Sequence, residues 1–555
     1  MLASSSATAS LIDQLFAFTP LADSSASVKT IALLIVLPVL AIVLNVASQV
    51  LLPPSKSSPP VVFHFVPVIG SAIYYGIDPY KFFFECRAKY GDVFTFVLLG
   101  RKITVALGPK GSNLVFNAKH QQVTAEDAYT HLTTPVFGKE VVYDVPNAVF
   151  MEQKKFVKVG LSVENFRVYV PQIVDEVKEY IKSDPRFKGL KSNRKIKVDI
   201  FQAMSEVIIL TASRTLQGKE VRQGLDKSFA QLYHDLDSGF TPINFVIPNL
   251  PLPSNFKRDK AQKKMSQFYQ DIVSKRRASG HNSDEGDGEN DMIAALMQQK
   301  YKNGRALSGV EIAHMMIALL MAGQHTSSAT SSWAFLRLAS KPEIIEELYQ
   351  EQVKVYGGEA DGSLRELDYE TQKTAVPLLD AVVKETLRLH PPLHSIMRYV
   401  KTDLAVPATL SAPSTGDSGY VIPRGHYIMA APGVSQVDPL IWKSSSEFDP
   451  HRWLDSATAA SMQDSGEETE DFGFGMISTG ANSPYLPFGA GRHRCIGEQF
   501  AYLQIGVIIA TFVRLFKWQL ESEFPDPDYQ SMVVLPSKKG SAIVLEVRGD
   551  RLNLE

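Results

Sequence analysis

Residues 488–497 read Phe-Gly-Ala-Gly-Arg-His-Arg-Cys-Ile-Gly, and they demand a tightly turned loop that delivers one cysteine to the mouth of a helix. Gly489 and Gly491 let the backbone turn sharply and approach a flat partner where a Cβ would collide. Amide N–H groups freed by such a turn can point at the sulfur. Glu498 to Phe516 reads as a helix, with an apolar face at Phe500, Leu503, Val507, Ala510 and Val513. Cys495 is therefore expected at a helix N-terminus, where the dipole favours thiolate over thiol. Arg492, His493 and Arg494 add positive charge. The other reading is a buried free cysteine, the ordinary fate of intracellular Cys. That reading suits Cys86, which has no such setting.

A second long-range constraint lies upstream. Ser308-Gly309-Val310-Glu311 is a capping-box signature, and the helical pattern continues to about Ala339 before Pro342. Such a helix, about 45 Å long, crosses a whole domain. Within it, Gly323 leaves room for a flat cofactor or substrate, and Thr326 can bond back to the carbonyl of Ala322 and bend the helix. A core helix with incidental polar residues is the plainer alternative. Glu385 and Arg388, three apart, share a helix face. A buried acid such as Glu385, bridged to two guanidinium groups, would brace the cysteine-loop side of the fold.

Net charge is −2 and charged residues make up 21%, which argues against a nucleic-acid binder. Two cysteines about 400 residues apart build no disulfide framework, so the catalytic part belongs in a reducing compartment. Residues 1–29 form a Ser/Ala-rich leader, with a short apolar stretch at Leu11–Phe18 suited to a membrane surface. Thr30–Leu52 is long and apolar enough to cross a bilayer, with Pro38 expected to kink it and Asn45, Ser48 and Gln49 forming a polar stripe. A cleaved signal peptide fits worse, because the run is long and only Lys29 precedes it among acidic neighbours. Residues 53–60 are a stiff Pro/Ser linker, and 61–555 the catalytic globule. Lys56, Lys81, Arg87 and Lys89 follow the anchor and place the globule in the cytosol. Val93–Leu99 and Lys102–Leu107 read as a hairpin turning at Gly100-Arg101. Ser283–Asp291 and Asp455–Asn482 are acidic or polar and read as solvated loops. Phe240–Pro253 is apolar and Pro-rich, either a membrane-dipping segment or a buried connector.

The cysteine segment resembles the haem-binding loop of the cytochrome P-450 family, whose pattern is filled by Phe488, Gly491, His493, Cys495 and Gly497. Most of that family has Arg at the place of His493. Glu385, Arg388 and Arg452 match its Glu-x-x-Arg pair and third member. Gly323-Gln324-His325-Thr326 is similar to the sterol 14α-demethylase branch, where His replaces the usual acid before the Thr. Tyr129–Asp144 resembles that branch's active-site loop, and His394–Arg398 its fungal members.

The resemblance runs from about Val61 to Val547. It implies a mainly α fold with small β-sheets (α+β), the cytochrome P-450 fold behind an N-terminal transmembrane helix. It implies haem b with Cys495 as the axial iron ligand, and Gly489 shaping the loop. Tyr129, Tyr143, Lys154, Arg398 and His493 would meet haem propionates or the ring edge. Thr326 and His325 would handle protons, with Asp237 pairing to His325. Leu132, Phe137, Tyr143, Phe240, His394 and Met532 would line a largely apolar sterol cavity. Dioxygen and electrons from a separate NADPH-dependent reductase, with cytochrome b5 as an optional second donor, would drive three oxidations that release one methyl group as formate. The place implied is the endoplasmic reticulum membrane, single-pass, with the globule on the cytosolic face. Two alternatives stay open: a P-450 oxidising another lipid or a xenobiotic, and a non-catalytic membrane-tethered haem sensor or sterol-binding protein.

Overall fold

The anchor segment forms one uninterrupted helix, α1 (Ala26–Leu51), in the computed structural model. The model describes residues 23–549 apart from 53–54, 56, 192, 226, 280–290, 359–362, 411–418, 455–468, 472–475 and 479. The helix starts four residues before the expected Thr30 because the Ser25 hydroxyl accepts the Val28 N–H as an N-cap. It runs through Pro38 without a break. Leu34, Val36, Leu40 and Leu44 are all exposed, an arrangement that water penalises and lipid does not. The stretch Leu11–Phe18 and linker residues 53, 54 and 56 lie outside the described residues.

In the globule, helices Ala72–Ile77 and Pro79–Tyr90 lead into a hairpin of β1 (Val93–Leu98) and β2 (Arg101–Ala106). Its two-residue turn is Leu99-Gly100, one position before the expected Gly100-Arg101, with φ of 50° and 80° at the two residues. Both central residues of such a turn need positive φ, so the glycine belongs second and Arg101 begins the strand. With β3 (Val123–Thr124), β4 (Ile396–Val400) and β5 (Tyr427–Ala430) the hairpin builds a sheet of order β1-β2-β5-β4-β3. Only the β2–β5 pairing is parallel.

Helices make up the rest of the frame: α2 (Glu126–Phe137), α3 (Asn147–Gly160), α4 (Val163–Ser183), α5 (Ile200–Ala212), α6 (Lys227–Asp237), α7 (Pro253–Ala278), α8 (Gly309–Ala339), α9 (Pro377–Leu389) and α10 (Glu498–Leu515). A small antiparallel sheet of Phe516–Leu520, Ala542–Val547 and Lys195–Asp199 closes one side. Phe516 is therefore strand rather than the last residue of α10.

The central beam is α8. Its capping box is complete: Ser308 Oγ accepts the Glu311 N–H at 3.1 Å, and Ser308 N–H donates to Glu311 Oε2 at 2.8 Å. Its first half, Ile312–Met321, packs into a core with α7, and its last turns, Trp333–Ala339, into a second core with α4, α9 and α10. Each large apolar side chain fully buried there contributes about 1.5–3 kcal/mol. The middle of α8 belongs to neither core.

Two sequence expectations change. Asp291, expected in a solvated loop, is buried, N-caps the helix Met292–Met297 and forms a salt bridge with Arg276 at 2.7 Å. Within 455–482, Thr469–Asp471 and Met476–Ser478 pair as two short antiparallel strands.

Candidate active site

The cysteine loop takes the turned shape its glycines suggested. Gly489 and Gly491 sit at φ 68° and 64°. A Cβ at Gly491 would lie 2.6 Å from the Phe116 carbonyl, so packing against the chain itself, rather than against a flat partner, forbids a side chain there. The Cys495 N–H donates to the Phe488 carbonyl at 3.0 Å and closes the loop. Gly497 N–H bonds the sulfur and favours its charged form. The thiol keeps accessible surface. Burial nevertheless pushes its pKa up, with Glu498 adding to the rise and Lys154 and Arg494 opposing it. A bound metal cation would reverse that balance, since a coordinating thiol is deprotonated outright.

Between Glu311 and Ala339, α8 exposes only Ala322 and Gly323. A Cβ built on Gly323 meets nothing within 4 Å. Thr326 Oγ1 donates to the Ala322 carbonyl at 2.8 Å, and Gln324 turns away to bond the Ser205 carbonyl on α5 at 2.6 Å. His325 reaches α6, where its Nε2 is shared by Asp237 Oδ1 and the Tyr233 hydroxyl, both at 2.8 Å. An opening, a hydroxyl and a solvent-touching acid–imidazole pair thus sit within four residues of one helix.

Cationic groups gather beside Cys495. Arg398 on β4 is buried, forms no ion pair among the described residues, and its guanidinium donates to the Met397 carbonyl at 2.7 Å. A buried guanidinium without a counter-charge is costly. Lys154 on α3 donates to the Arg492 and Arg494 carbonyls at 2.9 Å each, and burial pulls its pKa down to about 7. Tyr129 on α2 stacks on Tyr143 at 5.7 Å, and its hydroxyl accepts the Met397 N–H at 2.8 Å. His493 stacks on Phe150 at 5.6 Å, and its buried Nδ1 has no hydrogen-bond partner among the described residues. Burial first, then Arg398 and Lys154, hold the His493 ring well below the usual range, so it is neutral and not the positive charge expected. A thiol, an uncovered α8 segment and an uncompensated buried cation fit a haem with its acidic propionates.

Comparison with known proteins follows that geometry. The family model for Cytochrome P-450 matches residues 59–544. The chain belongs to the cytochrome P-450 family. It is 84% identical over its full length to the lanosterol 14-alpha demethylase of Mycosarcoma maydis, covering 99% of that relative. It is 52% identical over 482 residues to the lanosterol 14-alpha demethylase of Schizosaccharomyces pombe, covering 87% of this chain and 92% of the relative. A retinoic acid-bound cyanobacterial P-450 shares the fold, with a TM-score of 0.70 at 20% identity over 89% of this chain and all of the other. As a P-450, the protein uses haem-thiolate iron, dioxygen and NADPH-derived electrons.

The P-450 frame is braced by Glu385 on α9, whose carboxylate is fully buried. It accepts two bonds from Arg388 at 2.8 Å, one from Arg452 Nε at 3.0 Å, one from the Trp453 indole at 2.9 Å and one from Asp449 N–H at 3.0 Å. Arg388 continues to the carbonyls of Gln436, Ser445 and Glu447.

The expected cavity-lining residues differ in their immediate surroundings. Phe137 packs edge-on against Phe240 at 5.9 Å, and Leu132 is buried on α2. Met532 is half exposed. His394 lies among Tyr75, Tyr80 and Tyr529, where burial lowers its pKa to about 4. The segment Tyr129–Asp144, expected as a loop, is mostly α2 followed by a 3-10 turn at Val142–Asp144. Tyr233 and Phe150 were missed from sequence. Each sits four residues before a singled-out residue on the same helix face, Asp237 and Lys154, and that spacing was the available signal.

Proposed function

We propose that this P-450 removes the 14α-methyl group of a sterol precursor, lanosterol or eburicol, in three successive oxidations that end in formate and a new ring double bond. The full-length 84% identity to a named lanosterol 14-alpha demethylase carries the reading. Cys495, held by the Gly489–Gly491 turn and the Gly497 N–H, would bind the haem iron through its sulfur. Arg398, Lys154, Tyr129 and Tyr143 would hold the propionates, with neutral His493 beside them. Bound there, haem supplies dioxygen activation and oxidation of an unactivated methyl carbon.

The chain's own residues manage protons and water. Asp237, partly exposed at the end of α6, takes a proton from solvent and passes it to Nε2 of His325 across 2.8 Å. The imidazole brings it to the opening at Ala322–Gly323, where the Thr326 hydroxyl is held on the Ala322 carbonyl until needed. Phe137, Phe240 and Leu132 keep water from an almost entirely hydrocarbon substrate.

Electrons enter from a separate NADPH-dependent reductase. A cleft of ≈810 Å³ on the α10 side of the cysteine loop is lined by Lys158 and Lys373 and by the ion pairs Lys384–Asp380 and Arg494–Glu498, so its charge is positive on balance and suits an acidic donor. The helix α1 anchors the enzyme in the endoplasmic reticulum membrane with the globule in the cytosol. Purified enzyme with reductase, NADPH and lanosterol or eburicol is expected to yield formate and the 14-demethylated sterol in equal amounts. NADPH consumption without formate from either sterol overturns the substrate reading and leaves the family assignment standing.

A further inference from the structure

Helix α1 is latched to the globule rather than loosely tethered. Asn45 Nδ2 donates to the His64 and Phe65 carbonyls at 2.8 and 2.9 Å. Gln49 forms a reciprocal pair with His64, donating to its carbonyl at 2.8 Å and accepting its N–H at 3.1 Å. The latch sets which face of the globule lies against a bilayer crossed by α1. From there a line of contacts leads to α7. The Gly100 N–H donates to the Val68 carbonyl at 2.7 Å, and the next residue, Arg101, donates to the Phe245 carbonyl at 2.7 Å while its guanidinium covers the Phe245 ring. The short helix Pro242–Val246 is tied to the first turn of α7 by the buried amides of Asn244 and Asn255, paired at 2.8 and 3.0 Å.

Large apolar side chains stand exposed along this line: Val68, Ile73 and Ile77 beside the latch, then Ile243, Ile247 and Phe256. Directly after Phe256, α7 presents Lys257, Lys260, Lys263 and Lys264 on one exposed face, at helical spacings of three, four and seven. Among the described residues none of the four is in an ion pair, whereas Arg258 is buried and paired with Asp259 at 2.7 Å. Four free ammonium groups bordering an apolar surface match the junction between acyl chains and anionic headgroups.

We propose that the surface from the latch to Phe256 seats on the bilayer, and that the Lys257–Lys264 stripe binds the headgroups of anionic phospholipids. The inference rests on reading α1 as a membrane anchor. An apolar border continuous with the anchor favours lipid over an acidic protein as the occupant.

The test places the full-length haem-loaded protein in nanodiscs of phosphatidylcholine, with or without phosphatidylserine. Lysine acetylation rates are then read by mass spectrometry, with exposed Lys182 and Lys354 on other helices as controls. Phosphatidylserine is expected to slow labelling of the four lysines about fivefold, to leave the controls unchanged, and to lose its effect in high salt. Equal rates in both discs overturn the proposal, as does equal slowing in both, which would mean burial without charge recognition. Slowing by inorganic phosphate in phosphatidylcholine discs would assign the stripe to free anions and also overturn it. A protein that fails to enter nanodiscs at all sinks the anchor reading, and this inference with it.

Discussion

Oδ1 of Asp237, the last residue of α6, lies 2.8 Å from Nε2 of His325, the residue before Thr326 on α8. Two helices that are distant in sequence therefore meet at the one place where the central helix leaves the core. Asp237→Asn keeps the size of the side chain and removes its ability to carry a proton. Turnover is expected to fall about 100-fold, within the range for losing a positioned acid–base group. The ferric and reduced-CO spectra should stay normal, and the solvent isotope effect on formate release should rise. Tyr233→Phe, which leaves the Asp237–His325 contact in place, should cost far less. Unchanged turnover in D237N would remove Asp237 from the proton route.

Cys495→Ala is expected to abolish the reduced-CO band of a haem thiolate while the helical circular dichroism persists. A normal band in C495A would falsify the ligand assignment.

Two glycines should behave oppositely. Gly491→Ala combines φ of 64° with a Cβ 2.6 Å from the Phe116 carbonyl, so the loop must shift and haem loading should drop severalfold. Gly323→Ala meets no atom and improves helix propensity by about 1 kcal/mol, so the haem-free chain should melt no earlier than wild type. Its methyl group projects into the cavity, and dioxygen or sterol binding should weaken. Haem content and thermal melting of the two variants distinguish the cases.

Removing the charge of Glu385 leaves Arg388, which is fully buried, without its counter-ion. Glu385→Gln is expected to destabilise the fold by about 3–5 kcal/mol. Denaturant melting of soluble protein would show the loss, and a shift below 1 kcal/mol would mean the brace is relieved by solvent.

Acid sensitivity follows from two groups. Glu311 is held down to about 2; the Arg305 guanidinium, the Ser308 N–H and the Tyr301 hydroxyl outweigh its desolvation. Its contribution is present above the ordinary carboxylate range and is lost as pH falls toward 2. His394, lowered to about 4 by burial, must charge in acid, so stability declines as pH falls from about 6.5 toward 4. Glu311→Gln should cost about 1–2 kcal/mol at neutral pH and flatten the lower limb of the stability profile. His394→Phe should flatten the upper limb. Urea midpoints across pH check both.

Local chemistry made much of this protein legible before any coordinates. The loop glycines before Cys495, the capping box at Ser308–Glu311, and the α8 segment Gly323–Thr326 are short-range patterns whose geometry follows from φ/ψ preference and helix periodicity. Glu385 and Arg388 could be paired from spacing alone. The hairpin turn missed by one residue because the need for positive φ at both central positions outranks the position of a single glycine.

What only the tertiary structure decided were the consequences of burial and of long-range contact. Sequence suggested a charged His493, and enclosure by the rest of the chain reversed that expectation. No spacing rule brings Asn45 to Phe65 or Arg101 to Phe245, because those contacts depend on how whole elements settle against one another. The partners of His394, which are Tyr75, Tyr80 and the distant Tyr529, likewise follow from packing and from no local pattern. A pattern of residues determines a local conformation within one or two turns; desolvation and packing are properties of the surroundings, and the surroundings exist only once the chain has folded.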